Sequence, residues 1–360
     1  MPAPILGMKT TARGALCGLG AAALFGLSAP VAKLLLDGVS PVLLAGLLYL
    51  GAALGLWTHH FLRPKTAEAG LHRGDLPILA GVVIAGGLLG PVLMMLGLTR
   101  VTGLTGSLLL NLEGVFTLLL AVALFGEHLG RHAAAAAVCI LGGAAALKLE
   151  PGELGADTPG VLLLAGACFA WGLDNNLTQR LSLRDPFAIV RVKTLVAGTV
   201  NTALGLTLGG GTFPASSYLG GALLLGSLSY GVSVVLDAYA LRFVGAAREA
   251  AYFATAPFVG AVVSIALLGN PLRVLDATAM LAMAAGVALL LRERHSHAHA
   301  HEPLEHTHLH THDDDHHTHE HAADDPPVAG AGERHSHPHR HAPLVHDHRH
   351  VPDAHHRHGH

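Results

Sequence analysis

Long apolar runs fill the chain as far as residue 292, broken only by short polar or Gly/Pro punctuation. Ten can be counted, at residues 12–36, 41–62, 76–98, 101–125, 132–149, 159–181, 186–208, 218–242, 246–268 and 276–292. An α-helix needs about 20 such residues to cross the hydrocarbon core of a bilayer. The runs are continuous and rich in Gly, Ala and Leu, without the in–out alternation of outer-membrane strands. Lipid offers no water to backbone N–H and C=O groups, so helices are expected. The first run has the placement of a signal peptide. It is longer than a signal core, and a retained helix is expected. Pro30, Pro91 and Pro257 fall within runs and predict bends or breaks, because proline removes an intrahelical hydrogen bond.

Composition sharpens this pattern. Charged residues make up only 13% of the 360-residue chain, against 51% apolar. Soluble domains carry about 25% charged residues. A soluble enzyme and a nucleic-acid binder are therefore excluded as the main body. The three cysteines, Cys17, Cys139 and Cys168, lie inside apolar runs without CxxC spacing, which fits small buried hydrophobes better than a disulfide or zinc framework. Loop charges set an orientation. With the N-terminus inside, inside connections hold twelve Lys/Arg and outside connections four. The positive-inside bias places both termini in the cytoplasm of a bacterial-type inner membrane.

The chain is internally duplicated. Leu124-Phe-Gly-Glu127-His-Leu129 corresponds to Leu267-Leu-Gly-Asn270-Pro-Leu272 at an offset of 143, and Gly114-Val-Phe to Pro257-Phe-Val at the same offset. Ala23-Leu-Phe25-Gly26 matches Phe169-Ala-Trp171-Gly172 at 146, and Pro41 matches Pro186. Five helices per half force the second half to enter the membrane upside down. The expected fold is an all-α polytopic membrane protein of ten transmembrane helices. Two inverted five-helix repeats, 1–149 and 150–292, precede a disordered His-rich cytoplasmic tail, 293–360. Inverted repeats are a transporter architecture, with the substrate site near the midplane between the halves.

The residues resemble the EamA branch of the drug/metabolite transporter superfamily. The resemblance is carried by Ser107-Leu-Leu-Leu-Asn-Leu-Glu113-Gly-Val-Phe116 with Leu124-Phe-Gly-Glu127, and by Ala251-Tyr-Phe-Ala-Thr-Ala-Pro257-Phe258 with Leu267-Leu-Gly269. It covers residues 12–292 and implies ten helices in two repeats. Glu127 is the motif acid, which orients a loop, and Pro257 belongs to the second motif. Two departures stand out. Family repeats often have Pro in the fourth helix, where this chain has Glu113 or Gly114. The second copy has Asn270 where Glu is usual. The resemblance names no substrate.

Ionisable groups inside membrane helices usually face a cavity or a partner. Five fall well inside runs: Glu113, Asp174, Arg191, Lys193 and Asp237. Glu113, two residues after Asn111, reads either as a proton or substrate-amine site or as an ion-pair partner of Lys193 or Arg191. Asp174 and Thr178 share a helix face, as do Trp171, Asn175 and Gln179. They would line a cavity or bond between helices. Arg191 and Lys193 balance charge or bind an anion. Asp237 either couples protons or pairs with Arg242 or Arg248, and Glu249 is expected to pair with the same arginines. Tyr49, Trp171, Tyr230, Tyr239 and Tyr252 could stack on an organic solute.

Of the 28 histidines, 23 lie in residues 295–360. They form the clusters His295, His297, His299, His301; His306, His308, His310, His312; His316, His317, His319, His321; and His335, His337, His339, His341, with more to follow. Alternate spacing on an extended chain puts imidazoles on one side. Neutral imidazole suits labile Ni, Zn, Co or Cu ions, with affinity falling below about pH 6 as the rings protonate.

Three functions follow. The first is a secondary carrier of a small metabolite, drug-like compound or toxic solute, working as proton-coupled efflux with a metal-binding tail. The second is a divalent transition-metal transporter fed by the tail. The third is a membrane-tethered metal buffer. No ATP-binding motif occurs, no required cofactor is expected, and enzyme chemistry is not expected. The expected partners are the lipid bilayer, a small-molecule substrate and metal ions. No nucleic acid is expected, and homodimerisation is left open.

Overall fold

A computed structural model describes residues 4–62, 70–125, 129–148, 157–181, 184–244, 246–292, 295–301, 305–310, 335–340 and 344–350. Every described element before residue 293 is helical. The first half comprises α1 (Pro4–Gly26), α2 (Ser28–Leu35), α3 (Pro41–Leu62), α4 (Leu76–Val82), α5 (Gly90–Leu98), α6 (Gly103–Leu109), α7 (Leu112–Phe125) and α8 (Arg131–Lys148). The second comprises α9 (Thr158–Gln179), α10 (Pro186–Leu208), α11 (Ser216–Gly226), α12 (Ser233–Val244), α13 (Ala246–Phe253), α14 (Ala256–Leu268) and α15 (Val274–Leu290).

Several elements are halves of one longer helix. Among the described residues, seven helices are long and apolar enough to cross a membrane: Ala12–Leu35, Pro41–Leu62, Arg73–Leu98, Gly103–Leu124, Pro186–Leu208, Ser216–Ala240 and Glu249–Leu268. Arg131–Leu147 and Val274–Leu290 are shorter apolar helices. The 22-residue α9 carries the polar run around Asp174. Leu54, Leu62, Val138, Leu162 and Leu281 are exposed on the perimeter, where lipid tails make apolar surface the favoured one.

Irregularities in the two halves fall at matching places. A π-helical turn, Val83–Leu89, joins α4 to α5, and another, Ser227–Val232, joins α11 to α12. Their first residues are 144 apart. Helix α6 ends at Leu109 and α7 begins at Leu112; α13 ends at Phe253 and α14 begins at Ala256. That interruption also repeats at an offset of 144. Pro257 sits in the first turn of α14, where its missing N–H leaves no intrahelical bond unmade. Contacts between the halves are reciprocal. Helix α3 packs on α10 and on the second π-turn, and α10 packs on the first. Helix α1 packs on α12, and α9 on α4, α5 and the turn between them. Helix α6 meets α14, and α8 meets α15.

The α3–α10 crossing is close because each helix offers a glycine to the other. A Cβ on Gly46 would sit 2.3 Å from the Thr202 backbone nitrogen, and one on Gly198 would sit 2.7 Å from that of Leu50. Small residues permit this approach between helices that gain little hydrophobic drive from each other in lipid.

Parts of the tail are described as strands. Four strands are described: β1 (His295–His301), β2 (Glu305–His310), β3 (His335–Arg340) and β4 (Leu344–His350). β1 pairs antiparallel with β4, and β2 with β3. The alternation of histidine with other residues has the period of two that a strand requires, and pairing supplies the backbone hydrogen bonds that low apolar content cannot replace.

A polar site at the break between α6 and α7

The α6–α7 interruption sets Asn111 and Glu113 side by side at a helix end. Asn111 is buried, and its side-chain amide donates to the Leu108 carbonyl at 2.9 Å, which also accepts the Asn111 backbone N–H at 3.1 Å. A second contact from the same amide reaches Met283 Sδ at 3.8 Å. Glu113 opens α7. Its Oε1 accepts from Asn175 Nδ2 at 2.9 Å, and the same amide reaches Thr117 Oγ1 at 3.3 Å. Asn175 is exposed and Glu113 partly so. The adjacent Asn176 amide faces the other way, donating to the carbonyls of Thr117 at 2.9 Å and Gly172 at 2.8 Å. Two neighbouring amides of α9, Asn175 and Asn176, thus fasten α9 to α7, and the first of them bonds the carboxylate.

Asp174 takes the cation. Lys193 Nζ lies 2.7 Å from its Oδ2, with both side chains largely buried, and Thr178 Oγ1 donates to Oδ1 at 3.3 Å. Room for this carboxylate exists because position 86 is glycine: a Cβ there would meet Asp174 Oδ2 at 2.0 Å. Arg191 stands elsewhere. It pairs with Asp185 at 3.4 Å and lies 5.7 Å from the centre of the Trp57 ring. Asp185 also accepts from the Phe187 backbone N–H at 2.9 Å, so Arg191 braces the start of α10. Among the described residues no cation stands within ion-pair distance of Glu113. Of its two expected partners, Lys193 is engaged by Asp174 and Arg191 by Asp185.

The first π-turn borders the same region. A π-turn shifts the hydrogen-bond ladder and releases carbonyls. Gly86 O accepts from Tyr49 Oη at 2.7 Å and from Trp171 Nε1 at 3.1 Å, and Gly87 O accepts from Asn201 Nδ2 at 3.2 Å. Tyr49 stands 5.8 Å from Tyr230, which stands 5.7 Å from Phe25, itself 5.2 Å from Phe253, measured between ring centres. Glu113 is within electrostatic reach of Tyr49, Tyr230, Asp174 and Lys193.

Asp237, on α12, hydrogen-bonds to the Glu249 carboxyl on α13, while its Oδ1 is buried and without a partner. A hydrogen bond between two carboxyls needs a proton on one of them, because an ionised carboxylate only accepts. The side chains of Arg242 and Arg248, the expected partners, lie outside the described ones. So does Glu127. Nearby His59 bonds to Tyr239 at 3.4 Å, so Tyr239 belongs to this end and not to the rings around Tyr230.

Sequence reasoning misses Glu249 as the partner of Asp237, and misses Asn201. That amide carries a signal: an Asn inside an apolar helix must bond something. Among the described residues of the helical body, no three His, Cys, Asp or Glu side chains gather as a metal site.

Two helical halves with matched interruptions and polar groups at helix breaks fit a membrane transporter. Residues 12–148 and 158–292 each match the EamA-like transporter family. The chain belongs to that family. It is 30% identical over 283 residues to an "uncharacterized transporter" of Methanothermobacter thermautotrophicus, covering 74% of this chain and 82% of that one. An uncharacterized protein of Pseudomonas aeruginosa is 34% identical over 187 residues, covering 52% of this chain and 64% of that one. A protein crystal structure superposes with a TM-score of 0.59 at 18% identity, over 78% of this chain and 96% of the other. That last likeness is one of fold.

Proposed function

We propose that this chain is a ten-helix secondary carrier that moves a small organic solute across a bacterial-type inner membrane in exchange for protons. Both termini lie in the cytoplasm, and the tail binds labile Ni, Zn, Co or Cu. One observation carries the coupling role: Glu113 stands at a helix break, partly accessible and bonded to a neutral amide, while Lys193 and Arg191 are engaged elsewhere. A carboxylate so placed can hold either a proton or a cationic group of the solute. The rings of Tyr230, Phe25 and Phe253 supply faces that favour a protonated amine, through cation–π attraction of about 0.5–2 kcal/mol. Asp237 and Glu249 hold a second proton toward the cytoplasmic end.

The test is solute-induced proton flux in proteoliposomes, read with a trapped pH dye against a panel of organic amines. Glu113→Gln is expected to abolish solute-induced proton flux and to weaken binding of amine solutes. Flux equal to wild type in Glu113→Gln would remove that residue from coupling. The histidine-rich tail favours a second reading, a transition-metal carrier loaded by the tail. Deleting residues 295–360 would then lower cellular tolerance or uptake of the metal, whereas a carrier of organic solutes would keep its transport.

A further inference from the structure

We propose that the carboxy-terminal segment carries a transition-metal site built across two strands, its ligands drawn from directly opposed histidine pairs. The inference rests on the tail's part of the reading above and not on transport by the helices. Across β1 and β4, His295 is opposite His350, His297 opposite His348 and His299 opposite His346. Across β2 and β3, three more pairs oppose, from His306↔His339 to His310↔His335. The pairing numbers run in one register from His295↔His350 to His310↔His335, as the outer and inner parts of a single hairpin. Within each ribbon, the period of two places these six histidines on one face.

Register is what makes the site. A slip of one residue would set each of these histidines against a residue other than histidine. Glu305 opposite Arg340 favours the observed register, since opposite charges across a pair stabilise it. Spacing favours binding across strands over binding along one. Directly opposed Cα atoms stand about 4.5–5.5 Å apart, whereas i and i+2 on one strand are about 6.6 Å apart. Two successive pairs, His297/His348 and His299/His346, frame a rectangle of about 5 by 7 Å and offer four imidazoles. That donor set suits zinc, nickel, cobalt or copper, with metal–nitrogen bonds of about 2.0–2.1 Å for zinc. The bound ion would tie residues 344–350 back to residues 295–301, directly beyond the end of the last helix.

The test uses the full-length protein in detergent, purified through a tag that contains no histidine and titrated with Zn²⁺ against a chromophoric chelator. Three variants are compared: His295→Ala/His297→Ala/His299→Ala, His346→Ala/His348→Ala/His350→Ala, and all six together. A site across the strands predicts that each three-residue variant loses as many tightly held ions as the six-residue variant. Losses that simply add between the two strands would overturn the proposal. A second readout places spin labels at the register partners Ser296→Cys and Arg349→Cys, with the three native cysteines replaced by alanine. With Zn²⁺ bound, a narrow, short separation is expected, and a broad, long one would overturn it. Zinc binding is expected to persist in Glu113→Gln, so a failure of the carrier reading and a failure of the site are distinguishable.

Discussion

Two side chains of opposite charge buried among apolar helices depend on each other. Removing one partner leaves an uncompensated charge, at about 3–5 kcal/mol, whereas replacing both costs far less. Asp174 and Lys193 are such a pair. Asp174→Asn and Lys193→Met are each expected to lower the melting temperature in detergent sharply, and the double variant is expected to recover much of the loss. Additive losses would show that the contact does not hold in solution. Gly86→Ala tests the same carboxylate from the other side. A Cβ there collides with Asp174, and overpacking of this kind costs about 1–3 kcal/mol. Gly142→Ala on α8 meets nothing within 4 Å and is expected to be neutral or to stabilise by up to about 1 kcal/mol. At this scale the sequence marks Asp174, Lys193 and Glu113 as costly. It cannot choose among partners, because Arg191 and Lys193 are two residues apart on one helix and only the neighbouring helices decide which of them reaches an acid.

At the scale of elements, the π-turns and breaks are the working irregularities. Released carbonyls in the first turn are capped by Tyr49, Trp171 and Asn201. Tyr49→Phe removes one of two donors to Gly86 O and is expected to cost about 1 kcal/mol. Asn201→Leu strips Gly87 O of its amide and is expected to cost about 1–3 kcal/mol, as a buried acceptor left unsatisfied does. Thermal unfolding in detergent checks both, and equal midpoints for the two variants would argue against the capping role of Asn201. Apolar spans are legible from sequence because a run of about 20 residues is a local property. The Pro257 break is legible for the same reason. The break at Leu110–Asn111 contains no proline or glycine, and the second π-turn has no strong signature of its own, whereas the first runs directly into Pro91, where a bend is expected. These arise where packing of α3, α9 and α10 stabilises a shifted ladder. The tail shows the converse: its period of two is visible in the sequence, but composition alone suggests disorder, because apolar content says nothing of strand register.

For the whole molecule, orientation follows from loop charge. Ser40→Cys, between α2 and α3, is expected to react with an impermeant thiol reagent from outside intact cells. His72→Cys, before α4, is expected to react only after permeabilisation. The reverse pattern would invert the assignment of both termini. What the sequence by itself determined is the membrane class, the duplication and the EamA-type motifs, since each is written in runs and offsets along the chain. Tertiary structure alone decided that Glu113 bonds an amide while Lys193 goes to Asp174, that Asp237 meets Glu249, and that histidines 40 or more residues apart stand opposite one another in the outer ribbon. Those pairings join residues far apart in sequence, and the apolar pattern that places a helix in the membrane does not fix which neighbour its polar face will find.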